Sequence, residues 1–181
     1  MTELEPVLQV EPLVSIVIPT GFTSRIVRGE SRVLVDLAVQ SIVDNTSYSN
    51  YEIIVVVDAK SDIESARYLE EIDPQGRVQL VKDTRPFNFS KASNLGASVA
   101  DGSFLIFHND DTEIVQSNWI ERMLMYASRP EIGAVGVKLL YGDGTINHAG
   151  VWAKSGELGH RYRHAAPHLS LIHISEPTRP Y

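Results

Sequence analysis

The chain of 181 residues contains no cysteine, which excludes a disulfide framework and a zinc site built on thiolates. It has no run of about twenty apolar residues, so the sequence predicts no transmembrane segment. Basic residues are also in deficit, since 16 lysines and arginines stand against 23 aspartates and glutamates, a net charge of −7. This balance argues against nucleic acid as a partner, because proteins that bind the phosphate backbone usually present a basic patch.

The two ends of the chain differ from its middle. Residues 1–12 are polar and acidic, with two prolines, and predict an extended lead-in without the basic and apolar regions of a signal peptide. Residues 169–181 carry two prolines, form no credible element and resemble the translation of a transposon-type sequencing adapter. We therefore expect an artefactual tail on a gene that is cut short. Residues 13–168 are expected to form one domain, or part of one, in a cytoplasmic protein.

Short apolar runs alternate with amphipathic stretches along the middle of the chain. The runs predict buried strands and the stretches predict helices. Ser31 is the predicted cap of the first helix, and Ser90 is the predicted cap of the third. The predicted strands are 13–18, 51–57, 77–81, 104–107 and 133–141, and the predicted helices are 32–44, 62–72, 90–100 and 117–128. A hairpin turn is predicted at Asp143 and Gly144. This order indicates an α/β fold with a Rossmann-like, doubly wound, mostly parallel sheet and helices on both faces.

The fourth predicted strand, Phe104–Phe107, leads into three polar residues, Asn109, Asp110 and Asp111. If the chain stays extended, Asn109 and Asp111 lie on one side and Asp110 on the other. Neighbouring carboxylates repel each other, and hard divalent cations such as Mg²⁺ or Mn²⁺ prefer oxygen ligands, so a cation site is one interpretation. The alternative is a solvated turn in which Asp111 caps the next helix.

Polar residues also follow the first two strands, with Pro19 and Thr20 after the first and Asp58 after the second. In open parallel sheets, ligands bind beyond the carboxyl ends of the strands. The sequence therefore predicts that these residues converge with the acidic turn on one crevice.

An ordered set of motifs between residues 13 and 160 resembles the nucleotide-sugar half of a family 2 glycosyltransferase with the GT-A fold. The motifs are SIVIPT at 15–20, YEIIVVVD at 51–58, FNFS at 87–90, NLG at 94–96, FHNDDTE at 107–113, Trp119, GAVG at 133–136, KLLY at 138–141 and HAGV at 148–151. Within the family, the set is similar to bacterial enzymes of cell-wall and surface polysaccharide synthesis, including rhamnosyltransferase-like members.

The resemblance implies transfer of a sugar, with inversion, from a UDP- or dTDP-linked donor to a hydroxyl of a glycan or lipid-linked acceptor. It also implies Mg²⁺ or Mn²⁺ as cofactor and allows peripheral association of the full-length enzyme with the inner face of the membrane. Pro19, Thr20 and Asp58 would line the nucleotide pocket, with Asp58 accepting hydrogen bonds from the base or ribose. Ala59 departs from the family, which often has an acid or amide after this aspartate.

Asn109, Asp110 and Asp111 would correspond to the D-x-D element of the family, with Asn in the first position. Asp111, with Asn109, would hold the metal through the donor diphosphate, and Asp110 would face the sugar or ribose. Lys91 and Asn94, near a helix N-terminus, would assist the diphosphate. A purely structural role for these two residues is the alternative, because an exposed lysine and a helix-lining asparagine are common without function.

The catalytic carboxylate of the family lies in a second half, and the family pattern fades after about residue 159. Glu157 is a lone acid, so we expect a chain that binds the donor but lacks the base. The loop 21–30 is longer than expected, and its arginines, Arg25 and Arg28, are interpreted as solvated.

Three histidines four residues apart, His160, His164 and His168, would align on a helix, but no helix start precedes them and we expect them to be solvated.

Three other functions remain open at this point. One is a sugar-nucleotide-binding module without catalysis, and another is a nucleotidyltransferase, which should have a Gly-rich basic loop after its first strand. The third is an interaction domain for which Asp58 and Asp111 would be dispensable.

Overall fold

The computed structural model describes residues 11–154 and 157–167. The predicted tail at 169–181, His168 and all but the last two residues of the predicted lead-in lie outside the described residues. The chain divides into two compact units, Met1–Arg122 and Met123–Tyr181.

The first unit carries most of the regular structure. Its elements are β1 (Val14–Thr20), β2 (Ser24–Val27), β3 (Glu30–Val33), α1 (Leu34–Asn45), β4 (Tyr51–Val57), a 3₁₀ turn (Glu64–Ala66), α2 (Tyr68–Ile72), β5 (Val78–Lys82), α3 (Phe89–Ser98) and β6 (Phe104–Phe107). Helix α4 (Trp119–Ala127) begins at the end of this unit. The four main strands form a parallel sheet in the order β5, β4, β1, β6, which confirms the predicted α/β fold.

The centre of the sheet is buried on both faces, because β1 and β4 consist almost entirely of apolar residues. Val17 and Val56 pack with Ala92 of α3 on one face. Ile16 and Ile18 alternate with Val17, so they point to the opposite face, and they are equally buried. A Cβ atom added at Gly96 of α3 would lie 2.4 Å from Cγ1 of Val17, so a glycine is needed where this helix meets the sheet.

The segment after β1 differs from the prediction. Residues 24–33 form an antiparallel hairpin of β2 and β3 rather than a loop. Its two-residue turn consists of Arg28 and Gly29, both with positive φ, the conformation that matches the twist of a hairpin. Helix α1 consequently begins two residues later than predicted, and Ser31 lies in β3 instead of capping the helix, whose N-cap is Val33.

Three other boundaries were also predicted wrongly. Helix α3 is capped by the Asn88 side chain, which accepts from the Lys91 backbone amide at 3.0 Å, so Ser90 lies inside the helix. The helix predicted at 62–72 is broken into the 3₁₀ turn and α2, and the Asp62 carboxylate accepts from the backbone amides of Glu64 and Ser65 where the 3₁₀ turn begins. Of the strand predicted at 133–141, only Leu139–Leu140 is a strand.

The second unit contains two small antiparallel pairs. Strand β7 (Leu139–Leu140) pairs with β8 (Ile146–His148), and β9 (Val151–Lys154) pairs with β10 (Glu157–His160). The predicted turn between β7 and β8 is confirmed, since Asp143 accepts from the Thr145 amide at 2.9 Å and Gly144 has a φ of +84°.

None of the helices in the described parts of the chain is both long enough and apolar enough to cross a bilayer.

Candidate functional site

A cavity of about 500 Å³ opens at the carboxyl ends of β1, β4 and β6, a size typical of small-molecule sites. It is lined by Pro19, Gly21, Thr23, Asp58, Phe87, Phe89, Asn109, Asp110 and Asp111. These residues come from four separate segments, each of which follows or approaches one strand of the sheet. The parallel topology therefore brings residues 19 and 111 to a common opening.

Five of the eight residues predicted for the site line this cavity: Pro19, Asp58, Asn109, Asp110 and Asp111. Thr20 is buried and is not part of the lining. Lys91 and Asn94 are exposed residues of α3 and are not part of the lining. The structure thus brings the acidic residues together and leaves the two residues of α3 apart from them.

Thr20 is fully buried and contacts the acidic turn rather than the open space. Its Oγ1 donates a hydrogen bond to Oδ2 of Asp110 at 2.7 Å and accepts one from the Phe22 amide at 3.0 Å. The single hydroxyl proton of Thr20 is therefore used on Asp110. Through this contact, β1 orients a carboxylate that follows β6.

The acidic segment is a turn and does not continue the strand. Strand β6 ends at Phe107, and the Thr112 amide donates to the carbonyl of Asn109 at 3.3 Å. Strand alternation therefore does not extend to Asn109, Asp110 and Asp111, and all three border the same cavity. The extended chain on which the predicted separation of Asp110 from the other two depends is therefore not present at this turn.

Asp58 is held by the turn that follows β4. Its Oδ1 accepts two hydrogen bonds from Ser61, one from the backbone amide at 2.8 Å and one from the hydroxyl at 2.5 Å. The Asp58 amide donates to the carbonyl of Thr20 at 3.2 Å, which ties this turn to the end of β1.

Two aromatic side chains of the cavity, Phe87 and Phe89, belong to the FNFS motif at 87–90, but the sequence prediction gave them no role in the site. They are 57% and 49% exposed, which is unusual for phenylalanine and shows that core packing does not account for their positions. The loop that carries them is shaped by the buried Asp83, which accepts from the Arg85 side chain at 2.7 and 2.9 Å. Two phenylalanines on either side of the helix N-cap Asn88 were the available signal in the sequence.

The cavity has three carboxylates, and none of the described residues that line it is basic. Neighbouring carboxylates repel each other, and a bound cation would offset this repulsion. The described residues contain no cluster of three or more His, Cys, Asp or Glu side chains able to hold a metal alone. The oxygen donors of Asn109 and Asp111 fit the manner in which Mg²⁺ and Mn²⁺ are bound through one or two protein ligands plus substrate phosphates.

His108 precedes this turn but belongs to the core. It is 7% exposed, its ring lies edge-on to Trp119 at 6.3 Å between centroids, and neither ring nitrogen has a hydrogen-bond partner. Burial lowers the pKa of His108 to about 4, against smaller opposing effects of the Asn109 backbone and of the Asp111 charge. The imidazole is therefore neutral at pH 7.

The histidines of the second unit do not form a helical row. His148 and His160 bring their Nδ1 atoms within 2.8 Å of each other across neighbouring strand ends. His164 stacks on Tyr141 with ring centroids 4.9 Å apart. Residues 161–164 form turns, so the aligned arrangement of His160 and His164 that a helix would give is absent from this described segment.

Comparison with known proteins shows the family. The model of glycosyl transferase family 2 matches residues 27–170. The O-antigen biosynthesis protein RfbC of Myxococcus xanthus is 37% identical over 153 residues, which is 83% of this chain and 11% of that protein. The uncharacterized protein y4gI of Sinorhizobium fredii is 37% identical over 141 residues, or 77% of this chain and 15% of that protein. The chain thus spans a small part of the length of these relatives.

Solved structures support the same fold. The mannosyltransferase PcManGT from Pyrobaculum calidifontis, solved in complex with GDP-Man and Mn²⁺, has a TM-score of 0.59 and 19% identity, and the match covers 72% of this chain and 36% of that one. Residues 1–349 of S. aureus TarS give a TM-score of 0.50 at 14% identity, over 64% of this chain and 32% of that one. The order of the strands, the acidic cavity and the match over residues 27–170 agree, and the chain belongs to glycosyl transferase family 2.

Proposed function

We propose that the cavity binds the nucleoside diphosphate of an activated sugar, with Mg²⁺ or Mn²⁺, as the donor site of a glycosyltransferase of bacterial surface polysaccharide synthesis. The observation that carries this proposal is the convergence of Asp58, Asp110 and Asp111 with two exposed phenylalanines on one opening. Acidic and aromatic groups together suit a ligand with both a metal-bound diphosphate and a flat base. The relative RfbC, by its name an O-antigen biosynthesis protein, supports the polysaccharide context.

Each residue has a role in this proposal. Asp111 and Asn109 hold the cation, which supplies positive charge to the departing diphosphate. Asp110, oriented by Thr20, faces the sugar or ribose. Asp58 accepts hydrogen bonds from the base or ribose with the oxygen that Ser61 leaves free. Pro19 shapes the wall of the cavity beside them.

In the proposed reaction, the oxygen of an acceptor hydroxyl bonds to the anomeric carbon as the bond from that carbon to the diphosphate breaks, with inversion. The acceptor proton passes to a carboxylate base. We assign no base among the residues of this cavity, because its three carboxylates already have roles toward the donor. Lys91 and Asn94 do not line the cavity. In this proposal they contact the diphosphate only where the donor extends beyond the cavity toward α3. The acceptor is a glycan or a lipid-linked glycan, and the full-length enzyme works on the cytoplasmic side of the membrane.

Titration calorimetry of the 181-residue chain tests the proposal. We expect at least one of UDP, dTDP and GDP to bind in the presence of Mn²⁺, and the affinity to fall by about tenfold or more when the metal is removed with a chelator. Uridine, thymidine and guanosine, which lack the diphosphate, serve as matched controls and are expected to bind weakly. If none of the three diphosphates binds with either Mn²⁺ or Mg²⁺, the proposed function is wrong.

The aromatic side chains give a second test. Stacking of a base on an aromatic ring contributes about 1–3 kcal/mol, so Phe87→Ala is expected to weaken nucleoside diphosphate binding by roughly tenfold or more. Phe87→Tyr keeps the ring and should retain the affinity. Val115→Ala is the control, because Val115 is also exposed and apolar but lies outside the cavity lining. Equal affinities for the wild type and Phe87→Ala would show that Phe87 contacts no part of the ligand.

A further inference from the structure

Lys82, the last residue of β5, makes two contacts whose purpose the fold alone does not explain. Its Nζ donates a hydrogen bond to the backbone carbonyl of Asp58 at 2.7 Å and a second to the backbone carbonyl of Ser61. The side chain is only partly exposed, and it forms no ion pair with a carboxylate among the described residues. An ammonium group has three donors, and two of them are used on one four-residue turn.

The turn at residues 58–61 is held by hydrogen bonds within itself and by hydrogen bonds from Lys82. Ser61 donates its amide and hydroxyl to Oδ1 of Asp58, while Lys82 holds the carbonyls of the same two residues. Both ends of the turn are therefore fixed by one cation on the neighbouring strand. Oδ1 of Asp58 is occupied, so the carboxylate has one oxygen left to direct into the cavity that Asp58 lines.

We infer that Lys82 is a positioning residue for donor binding, which orients Asp58 by holding the turn at residues 58–61. This inference rests on the proposed function, since it concerns how the cavity recognises the nucleoside part of a nucleoside diphosphate. Lys82 is not among the residues that line the cavity, so it acts through Asp58 and makes no contact with phosphate. Its effect should be limited to ligands that have a nucleoside for Asp58 to bind.

The inference is tested by comparing two probes, UDP with Mn²⁺ and inorganic pyrophosphate with Mn²⁺, on the 181-residue chain. Lys82→Met removes the donors and keeps an apolar stem of similar length. We expect it to weaken UDP binding by about tenfold, because hydrogen bonds from a charged group are involved, and to leave pyrophosphate binding within about twofold. If UDP is not the preferred nucleotide, dTDP or GDP takes its place, chosen by the wild-type titrations.

Three further variants separate positioning from general stability. Lys82→Arg keeps the charge and the donors and is expected to recover most of the UDP affinity. Lys60→Met removes an exposed lysine within the same turn and should leave the UDP affinity unchanged. In an Asp58→Ala background, Lys82→Met should cause no further loss, since residues that act through one group are not additive. If thermal denaturation shows that Lys82→Met is not folded, UDP and pyrophosphate binding are compared for Ser61→Ala instead.

The possible failures are distinguishable. If the wild type binds neither UDP, dTDP nor GDP with metal, the proposed function is wrong and the role of Lys82 is overturned with it. If the wild type binds but Lys82→Met weakens UDP and pyrophosphate equally, Lys82 contacts phosphate or merely stabilises the fold, and only the positioning role is overturned. If Lys82→Met lowers the UDP affinity further in the Asp58→Ala background, the positioning role is likewise overturned.

Discussion

Replacing Asp111 by alanine is expected to abolish the metal-dependent part of nucleoside diphosphate binding, with a loss of affinity of about a hundredfold or more. Loss of residues that only support metal ligands typically costs about 10–100-fold, and a direct carboxylate ligand should matter at least as much. The described residues contain no cluster of three or more His, Cys, Asp or Glu side chains that could hold the metal in its place. Calorimetry with and without Mn²⁺ measures the effect.

Asp101→Ala is the matched control for this change in charge. Asp101 is an exposed aspartate just before β6, at the end of that strand opposite the cavity, and its substitution should leave the affinity unchanged. Asn109→Ala, which removes a neutral oxygen donor, should show an intermediate loss of about tenfold. An Asp111→Ala variant that keeps its Mn²⁺-dependent affinity within threefold of the wild type would contradict the metal assignment.

The second large effect is expected on stability, from the buried carboxylate of Asp73 that follows α2. Asp73 accepts hydrogen bonds from Nε and Nη2 of Arg77 at 2.8 and 2.9 Å and from the backbone amides of Gln75 and Arg77. Arg77 in turn covers the ring of Tyr51 at 4.1 Å. The hydrogen bond from Arg77 is the largest cause that lowers the pKa of Asp73 to about 2, against an opposing effect of burial.

Because this pKa is depressed in the folded state, the stabilisation is fully present above the ordinary aspartate pKa of about 3.9 and is lost as the pH falls through about 2. A shift of this size corresponds to roughly 2–3 kcal/mol. We therefore expect Asp73→Asn to lower the free energy of unfolding by about that amount at pH 7 and by much less at pH 2. Urea denaturation at both pH values measures the difference.

Glu64→Gln is the comparison for Asp73→Asn, since the Glu64–Arg67 pair has similar geometry but both side chains are more than half exposed. Exposed pairs contribute little, so this variant should have nearly the stability of the wild type at pH 7. If Asp73→Asn were equally destabilising at pH 7 and pH 2, ionisation of Asp73 would not be the source of the stability.

The sheet could be predicted from the sequence because its central strands are continuous apolar runs. Strands β4 and β6 were predicted with the bounds that the structure has, and β1 within two residues. The hairpin at residues 24–33 was missed because its turn uses Arg28 in a left-handed conformation, which arginine adopts less readily than asparagine or glycine. The helix caps were missed because Asn88 and Ser90 are both good caps by residue type, and only the path of the loop decides between them.

The acidic residues of the site could be predicted for a topological reason. Parallel strands place their carboxyl ends at one edge, so residues after β1, β4 and β6 had to lie near each other. The direction of each side chain could not be predicted, because Asn109, Asp110 and Asp111 form a turn and Thr20 is used to hold Asp110. The hydrogen bonds of Lys82 to the turn at 58–61 join segments more than twenty residues apart, which no local pattern contains.

The central claim is that residues 58, 109, 110 and 111 surround one metal-bound nucleotide at the carboxyl edge of the sheet. Paramagnetic broadening of backbone amide signals by Mn²⁺, measured by NMR in the presence of a bound nucleoside diphosphate, tests it most directly. The account predicts broadening centred on Asp58 and Asp111, with Leu13 and Gly102 at the opposite edge unaffected. Broadening centred elsewhere, for example on His148 and His160, with sharp signals for Asp58 and Asp111, would contradict it.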